Sequence, residues 1–145
     1  MIIYLGADHR GFKIKEALKP FLKELGHEVV DLGNDHLDEA DDYPDFANVV
    51  AGKVSQNPET DKGILICGSG IGMAMAANKF ENVRAVQADK IEEAILSRKD
   101  NDANVLSLSG NSLSEQEIKE ITKVWLETPF SGEERHERRI KKIHL

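Results

Sequence analysis

Short apolar segments alternate along the chain with longer segments in which apolar residues recur every three or four positions. The short segments have the length and β-branched content of buried strands, and the longer ones have the spacing of helices with one apolar face. Five strands, each followed by a helix, predict a parallel sheet with helices on both faces. The predicted strands cover residues 2–7, 28–32, 63–66, 83–87 and 104–108, and the predicted helices begin near residues 12, 44, 70, 89, 114 and 134.

Local signals refine three of the helices. Residues 114–117 (Ser-Glu-Gln-Glu) form a capping box that begins the fifth helix. Pro20 lies inside the first helix, residues 12–25, where it predicts a kink or a break. In the fourth helix, Ile91, Ala94 and Ile95 are expected to face inward. The third helix is expected to cover residues 70–80, and a short basic tail looks helical over residues 134–143.

Length and charge limit the classes of function. The 145 residues predict one domain, 1–145, with a C-terminal basic helical tail over about 133–145. Asp and Glu number 26 against 19 Lys and Arg, a net charge of −7, so no nucleic acid and no anionic membrane is expected as a partner. One cysteine excludes an internal disulfide and a cysteine-cluster metal site. No signal peptide or membrane span is recognised, so a cytoplasmic location is expected.

The segment 63–72 carries the most information about chemistry. A predicted strand ends at Cys67, and three glycines then alternate with Ser69 and Ile71 up to residue 72. A glycine-rich turn that enters a helix offers backbone N–H groups to an anion and favours the thiolate form of a nearby cysteine. An isolated cysteine would be interpreted as a small buried core residue. The adjoining glycines favour a functional thiol instead.

Several thiol chemistries are excluded by spacing. No second cysteine can form a redox pair, and the residue six positions after Cys67 is Met73 rather than the arginine of phosphate-cleaving cysteine enzymes. The Gly-Lys-Ser/Thr ending of a nucleotide-binding P-loop is absent. A thiolate can also act as a base, and backbone N–H groups beside it can hold an oxyanion. That combination suits proton abstraction next to a carbonyl.

Polar clusters elsewhere are further candidates. Asp8, His9 and Arg10 follow the first strand, at the sheet edge where ligands bind in such folds. Taken alone, Asp8 could be a helix cap and Arg10 a solvated side chain. The polar hinge 98–104 could equally be an ordinary capped loop. In the tail, Arg135 and Arg139 are four residues apart and would share a helix face that suits a phosphate.

Five segments, in their order along the chain, closely resemble the ribose-5-phosphate isomerase B family, which includes the galactose-6-phosphate isomerase subunits. The similarity extends over nearly the whole chain. The segments are 6–12 (GADHRGF), 42–44 (DYP), 63–72 (GILICGSGIG), 76–79 (AANK) and 101–106 (NDANVL).

The resemblance implies a Rossmann-like three-layer α/β/α sandwich with a five-stranded parallel sheet. It implies a sugar-phosphate substrate, no cofactor and no metal, and interconversion of an aldose and a ketose phosphate through a cis-enediol. It also implies self-association to a homodimer, often paired into a tetramer, with active sites shared between subunits.

The resemblance also assigns roles to residues. Cys67 is the base, Ser69 contacts the thiol through its hydroxyl, and Asp8 assists ring opening. Asp100 occupies the position of the family's ring-opening acid. The implied substrate-binding residues are Asp8, His9, Tyr43, Gly68, Ser69, Gly70, Ile71, Gly72, Asn101, Asn111, Arg135 and Arg139, with Arg138 replacing Arg139 if the tail carries no insertion.

Two positions depart from the family pattern. Asp100 stands where the family has a histidine, and Asn111 stands where it has a phosphate-binding arginine. The loss of that guanidinium predicts weaker phosphate binding. His9 or Asp8 could take over ring opening. The alternatives are therefore an isomerase of a hexose phosphate or a free rare aldose, a catalytically silent sugar-phosphate-binding module, or, from another class, a phosphocysteine carrier.

Overall fold

The protein is described by a computed structural model covering residues 1–144. None of the helices in this range is long and apolar enough to cross a membrane. Strands and helices alternate until the last two helices. The elements are β1 (Ile2–Ala7), α1 (Phe12–Glu24), β2 (Glu28–Asp31), α2 (Tyr43–Gln56), β3 (Lys62–Cys67), α3 (Ile71–Ala77), β4 (Ala85–Gln87), α4 (Ile91–Lys99), β5 (Val105–Ser109), α5 (Glu115–Glu127) and α6 (Glu134–Ile143).

The strands form one parallel sheet in the order β2-β1-β3-β5-β4, which confirms the α/β class. The chain moves outward from β1 to β2 and then returns to β3 on the other side of β1. Strand order therefore reverses between β1 and β3, whose last residues pair in the register Ala7 with Ile66. Ligands bind beyond the carboxyl ends of strands at such a reversal. Asp8 and Cys67 lie at this point.

Helices cover both faces of the sheet and complete the three-layer sandwich. On one face, α1, α4 and α5 pack a cluster that includes Leu18 and the fully buried Trp125. On the other face, α2 and α3 pack a second cluster that includes Val50 and Met73. The capping box at Ser114 is formed as predicted, with Glu117 N–H donating to Ser114 Oγ.

Helix α1 is continuous through Pro20, so the predicted break does not occur there. Pro20 lies on the exposed side of the helix, where water can hydrate the Glu16 carbonyl that loses its amide partner. Ile91 is 38% exposed rather than inward, because it is the first residue of α4 and the buried face begins at Ala94.

Two predicted element boundaries also shift. Helix α3 covers Ile71–Ala77 rather than residues 70–80. Gly70 has a left-handed conformation (φ 80°) and stands before the helix as its N-cap, and the helix ends at Ala77 with Asn78 as its C-cap. Strand β4 begins at Ala85 rather than Val83. The N–H of Arg84 donates to the side-chain oxygen of Asn104 (2.8 Å), so a side chain takes the place of a neighbouring strand there.

A buried cation connects α1 to the carboxyl end of β2. The Lys15 side chain is fully buried, and its Nζ lies 2.9 and 2.8 Å from the two Asp31 oxygens and 2.6 Å from the Asn34 carbonyl oxygen. Burial opposes the ionised form of Asp31, but hydrogen bonds from Lys15 and Lys19 outweigh it and lower the pKa of that carboxyl. Lys15 thereby anchors the loop that enters the site.

Lys15→Met is expected to destabilise the fold by about 3 kcal/mol, because it leaves the Asp31 carboxylate short of a buried partner. Lys19→Met is the matched control, since Lys19 also contacts Asp31 but is 27% exposed, and we expect it to cost less than about 1 kcal/mol. Urea unfolding followed by circular dichroism measures both. Equal losses in the two variants would contradict this role for Lys15.

Candidate active site

A cleft of about 590 Å³ opens beyond the carboxyl ends of β1 and β3. Residues from the turn after each strand meet there with the start of α2. The lining residues are Asp8, His9, Arg10, Asp41, Asp42, Tyr43, Cys67, Gly68, Ser69, Ile71, Gly72, Met75 and Asn111. The structure thus brings Cys67 together with Asp8, His9 and Tyr43 in one cavity.

The turn after Cys67 is held by its carbonyl groups. Four successive carbonyl oxygens accept hydrogen bonds from the neighbouring carboxyl ends of β4 and β5. The carbonyl oxygen of Cys67 accepts from Gly110 N–H (2.7 Å). The carbonyl oxygen of Gly68 accepts from Asn111 N–H (3.1 Å) and from the Ser109 hydroxyl (2.6 Å). The carbonyl oxygen of Ser69 accepts from Gln87 Nε2 (3.4 Å), and that of Gly70 accepts from the Ser107 hydroxyl (2.6 Å).

Fixing these carbonyls also fixes the direction of the amides. In a trans peptide the N–H points away from the preceding carbonyl, so the amides of residues 68–71 point away from the strand ends that hold the carbonyls. Gly70 N–H donates to Cys67 Sγ (3.1 Å). The N–H groups of Gly68 and Ser69 have no hydrogen-bond partner within residues 1–144. They are therefore available to an oxygen atom of a ligand.

Cys67 ends β3 and is only 5% exposed. The Ser69 hydroxyl accepts from Ile71 N–H (3.2 Å), so it caps the start of α3. The contact to the thiol thus comes from the Gly70 amide, whereas the resemblance assigned it to the Ser69 hydroxyl.

Asp8 has the properties of a proton donor. Its residue is 6% exposed, and burial raises the pKa of its carboxyl. The Arg10 N–H, which donates to Asp8 Oδ1 (3.0 Å), and the nearby charge of His9 lower this pKa, while the charge of Asp41 raises it, and the net direction is upward. Asp8 can therefore hold its proton to a higher pH than an ordinary aspartate.

Asp41 holds His9, and the sequence reasoning missed it. Asp41 Oδ1 accepts from both the backbone N–H of His9 (3.0 Å) and its ring Nδ1 (2.8 Å). Asn34 Nδ2 donates to the other carboxylate oxygen (3.1 Å). The hydrogen bond to Asp41 raises the pKa of His9 and leaves ring Nε2 for a ligand. Asp41 lies in an irregular acidic loop without a spacing motif, so only the folded contact identifies it.

Tyr43 forms one wall of the cleft against the backbone of Gly72. A Cβ placed on Gly72 would lie 2.5 Å from Tyr43 Cζ and 2.7 Å from its hydroxyl oxygen. Any side chain at residue 72 would therefore displace the tyrosine ring. The tyrosine is 40% exposed and lines the cleft.

Four predicted site residues lie outside the cleft that contains Cys67. Asp100 caps the end of α4, before β5 begins, and lies 3.7 Å from the His136 ring of α6. Asn101 lines a separate cavity of about 350 Å³. Arg135 and Arg139 are exposed on α6. Cys67 lies at the carboxyl ends of the strands, whereas Asp100 precedes the amino end of β5. A strand of five residues spans about 16 Å, so these four residues lie far from the Cys67 thiol of the same chain.

The cleft of this doubly wound α/β domain combines a buried thiol with backbone N–H groups that have no partner in residues 1–144. It also holds a carboxyl group and an imidazole whose pKa values are both raised. These groups are typical of an enzyme that moves protons on an oxygen-rich substrate. Comparison with known proteins gives the family. The chain belongs to the Ribose/Galactose Isomerase family, whose model matches residues 3–143.

The relatives are similar over almost their whole length. A probable ribose-5-phosphate isomerase B of Mycoplasma genitalium is 44% identical over 141 residues, which cover 97% of this chain and 92% of that protein. Ribose-5-phosphate isomerase B of Escherichia coli is 41% identical, with coverage of 97% and 93%. The crystal structure of the M. genitalium enzyme with bound ribulose-5-phosphate has a TM-score of 0.95 and covers 98% of this chain and 93% of its own.

Asp41→Asn is expected to lower the pKa of His9 towards the ordinary value of about 6.5, because the ring loses its charged hydrogen-bond partner. Asp42→Asn is the matched control, since Asp42 is the next residue and also lines the cleft. An NMR titration of the His9 ring measures the change. An unchanged His9 midpoint in Asp41→Asn, or equal shifts in both variants, would contradict the assignment.

Proposed function

We propose that the chain interconverts ribose 5-phosphate and ribulose 5-phosphate, with Cys67 as the base. The proposal rests on the position of the Cys67 sulfur. It lies beside a turn whose Gly68 and Ser69 N–H groups have no partner in residues 1–144, and both residues line the same cleft. The chain is also similar over nearly its whole length to ribose-5-phosphate isomerase B proteins. The similarity to a structure with bound ribulose-5-phosphate supports the pentose phosphate as substrate.

The chemistry follows from the arrangement of the turn. The Cys67 thiolate takes the proton from C2 of the open-chain aldose, and the electron pair of that bond moves to form the C1–C2 double bond while the carbonyl electrons move to O1. The N–H groups of Gly68 and Ser69 hold the negative oxygen of this cis-enediolate. The O2 proton then passes to O1, which becomes the C1 hydroxyl. The electron pair left on O2 forms the ketone while the electrons of the C1–C2 double bond take the proton back from the thiol to C1, which regenerates the thiolate. Atoms and electrons balance without an outside oxidant.

Asp8 is the ring-opening acid that the cleft itself supplies. Ring opening requires a proton at the ring oxygen, and the raised pKa of Asp8 favours a protonated carboxyl group. The raised pKa of His9 favours a positive charge beside Asp8, which suits the phosphate. This arrangement assigns to Asp8 the role that the resemblance gives to a histidine at residue 100.

Asp100 and Asn111 favour one second candidate, an isomerase of a hexose phosphate, because both depart from the ribose-5-phosphate isomerase B pattern. The family model spans ribose and galactose isomerases.

The expected cytoplasmic location stays a prediction.

Cys67→Ala is expected to lower turnover of ribose 5-phosphate by about 10²–10⁴-fold, because the variant lacks the base. A coupled assay at pH 7.5 measures this, with thermal unfolding as the control for an intact fold. Galactose 6-phosphate is assayed in parallel. Turnover of the hexose phosphate alone would replace the pentose assignment, and unchanged turnover in Cys67→Ala would exclude the thiol as base.

We also propose that a second copy of the chain completes each cleft. Asp100, Asn101 and the arginines of α6 lie at the far edge of their own sheet, so they cannot reach their own Cys67. They form one surface: Ser131 N–H donates to the Lys99 carbonyl (3.1 Å), and His136 approaches Asp100. This surface can face the cleft of a partner.

Exposed apolar side chains support such pairing. Ile71 and Met75 at the rim of the cleft are 59% and 66% exposed. Leu96 and Ile143, near the Asn101 surface, are 54% and 58% exposed. Burying these groups against each other in a dimer would be favourable.

The tail contacts favour Arg139 over Arg138 as the second phosphate ligand. Arg138 donates to Glu134 (2.8 Å), whereas Arg139 has no carboxylate within salt-bridge distance in residues 1–144. Arg139 is therefore free to meet a phosphate of the partner's cleft, whereas Arg135 would first have to leave its ion pair with Glu133 (2.9 Å).

A complementation experiment tests the shared site. Cys67→Ala and the triple variant Asn101→Ala/Arg135→Ala/Arg139→Ala are each expected to be nearly inactive alone. Random pairing on co-expression gives mixed dimers with one intact site, so about a quarter of the wild-type activity should return. Activity no higher than that of the separate variants would show that each chain builds its own site.

A further inference from the structure

We infer that Arg10 binds the phosphate group of the substrate, an inference that rests on the proposed sugar-phosphate isomerase function. Arg10 follows Asp8 and His9 at the end of β1 and lines the same cleft as Cys67. Taken from the sequence alone, it could be a solvated side chain with no role. Charge and packing in the folded protein argue otherwise.

Within the chain that builds the cleft, few groups can hold a dianion, whatever the arginines of a second copy add. Five lining residues carry ionisable acidic or basic side chains, apart from Tyr43 and Cys67, and three of them are the carboxylic acids Asp8, Asp41 and Asp42. The cationic groups are His9 and Arg10. The Asp41 contact already takes Nδ1 of His9. A single ring nitrogen is a weak counterpart for a dianion, whereas a guanidinium can donate two parallel hydrogen bonds.

Arg10 lies directly over the glycine-rich turn. A Cβ placed on Gly68 would lie 2.9 Å from Arg10 Cδ and 3.1 Å from its Nη1. The same point lies 3.0 Å from Asn111 Nδ2. The guanidinium and the amide of Asn111 therefore adjoin each other above Gly68, and both are N–H donors. Glycine at residue 68 leaves the space that this arrangement occupies.

The backbone of Arg10 is fixed while its side chain is free. Its N–H donates to Asp8 Oδ1 (3.0 Å), and its carbonyl oxygen packs so closely on Gly110 that a Cβ there would lie 2.6 Å away. The side chain is exposed and, in residues 1–144, has no carboxylate within salt-bridge distance. Arg135 and Arg138, by contrast, are paired with glutamates of the tail. Arg10 is thus placed at the cleft with its charge unused.

Arg10 also explains how the cleft functions with Asn111. The sequence comparison with the family predicts weaker phosphate binding because an amide replaces a guanidinium at residue 111. The structure places the guanidinium of Arg10 next to that amide, supplied from the end of β1 rather than from the turn after β5. We therefore expect no loss of cationic character at this part of the cleft.

The test compares Arg10→Gln, Arg10→Lys and Lys13→Gln with the wild type. Lys13→Gln is the matched control, because it removes the same charge from an exposed residue three positions away that does not line the cleft. Steady-state kinetics with ribose 5-phosphate give KM and kcat. Competition by inorganic phosphate gives an inhibition constant that does not depend on the sugar. Thermal unfolding confirms that each variant folds.

Arg10→Gln is expected to raise KM and the phosphate inhibition constant by about tenfold or more, the effect of losing a charged hydrogen bond. We expect kcat to change by less than about threefold, because Arg10 does not move the proton. The KM and the phosphate inhibition constant of Arg10→Lys should lie between those of the wild type and Arg10→Gln, and both constants of Lys13→Gln should match the wild type. Wild-type turnover together with unchanged constants in Arg10→Gln would overturn the inference. Absence of wild-type turnover with every sugar phosphate would instead reject the proposed function.

Discussion

The site depends on the hydrogen bonds that β4 and β5 make to the carbonyl groups of the turn after Cys67. Alternate residues of a strand face the same side, so Ser107 and Ser109 both direct their hydroxyls to this turn. Because β5 pairs with β3 in the register Cys67 with Ser109, the sheet itself sets the position of the turn. The amides proposed to hold the enediolate are thus oriented before any substrate arrives, and electrostatic stabilisation is most effective when its donors are fixed in advance.

The charges of the cleft follow a second constraint, since the chain carries a net charge of −7 and the proposed substrate is an anion. Attraction must therefore come from individual side chains rather than from the whole protein. Asp41 serves this purpose indirectly, because its carboxylate raises the pKa of His9 and also raises that of Asp8. The positive charge that Asp41 favours on His9 in turn lowers the pKa of Asp8, and burial is the larger effect that keeps that pKa raised.

Most of the fold was predictable because its elements are local patterns. The limits of β1 and α6 match the prediction, and the capping box at Ser114 identified the start of α5. The errors at Pro20 and Ile91 arise from exposure, which a sequence pattern does not contain. Asp41 and Lys15 were missed because their partners are distant in sequence and lie in or beside an irregular loop. Cys67 and its turn were predictable because thiol and glycines are consecutive.

The chain has a single cysteine, Cys67, which lies at the end of β3 and is 5% exposed. An oxidant that converts this thiol to a sulfenic acid meets no second cysteine with which to form a disulfide in the same chain. Damage at this atom can therefore be reversed only by a small thiol or another protein, and the burial of Cys67 limits access to it. A chain built in this way depends on the reducing state of its surroundings to keep its one thiol intact.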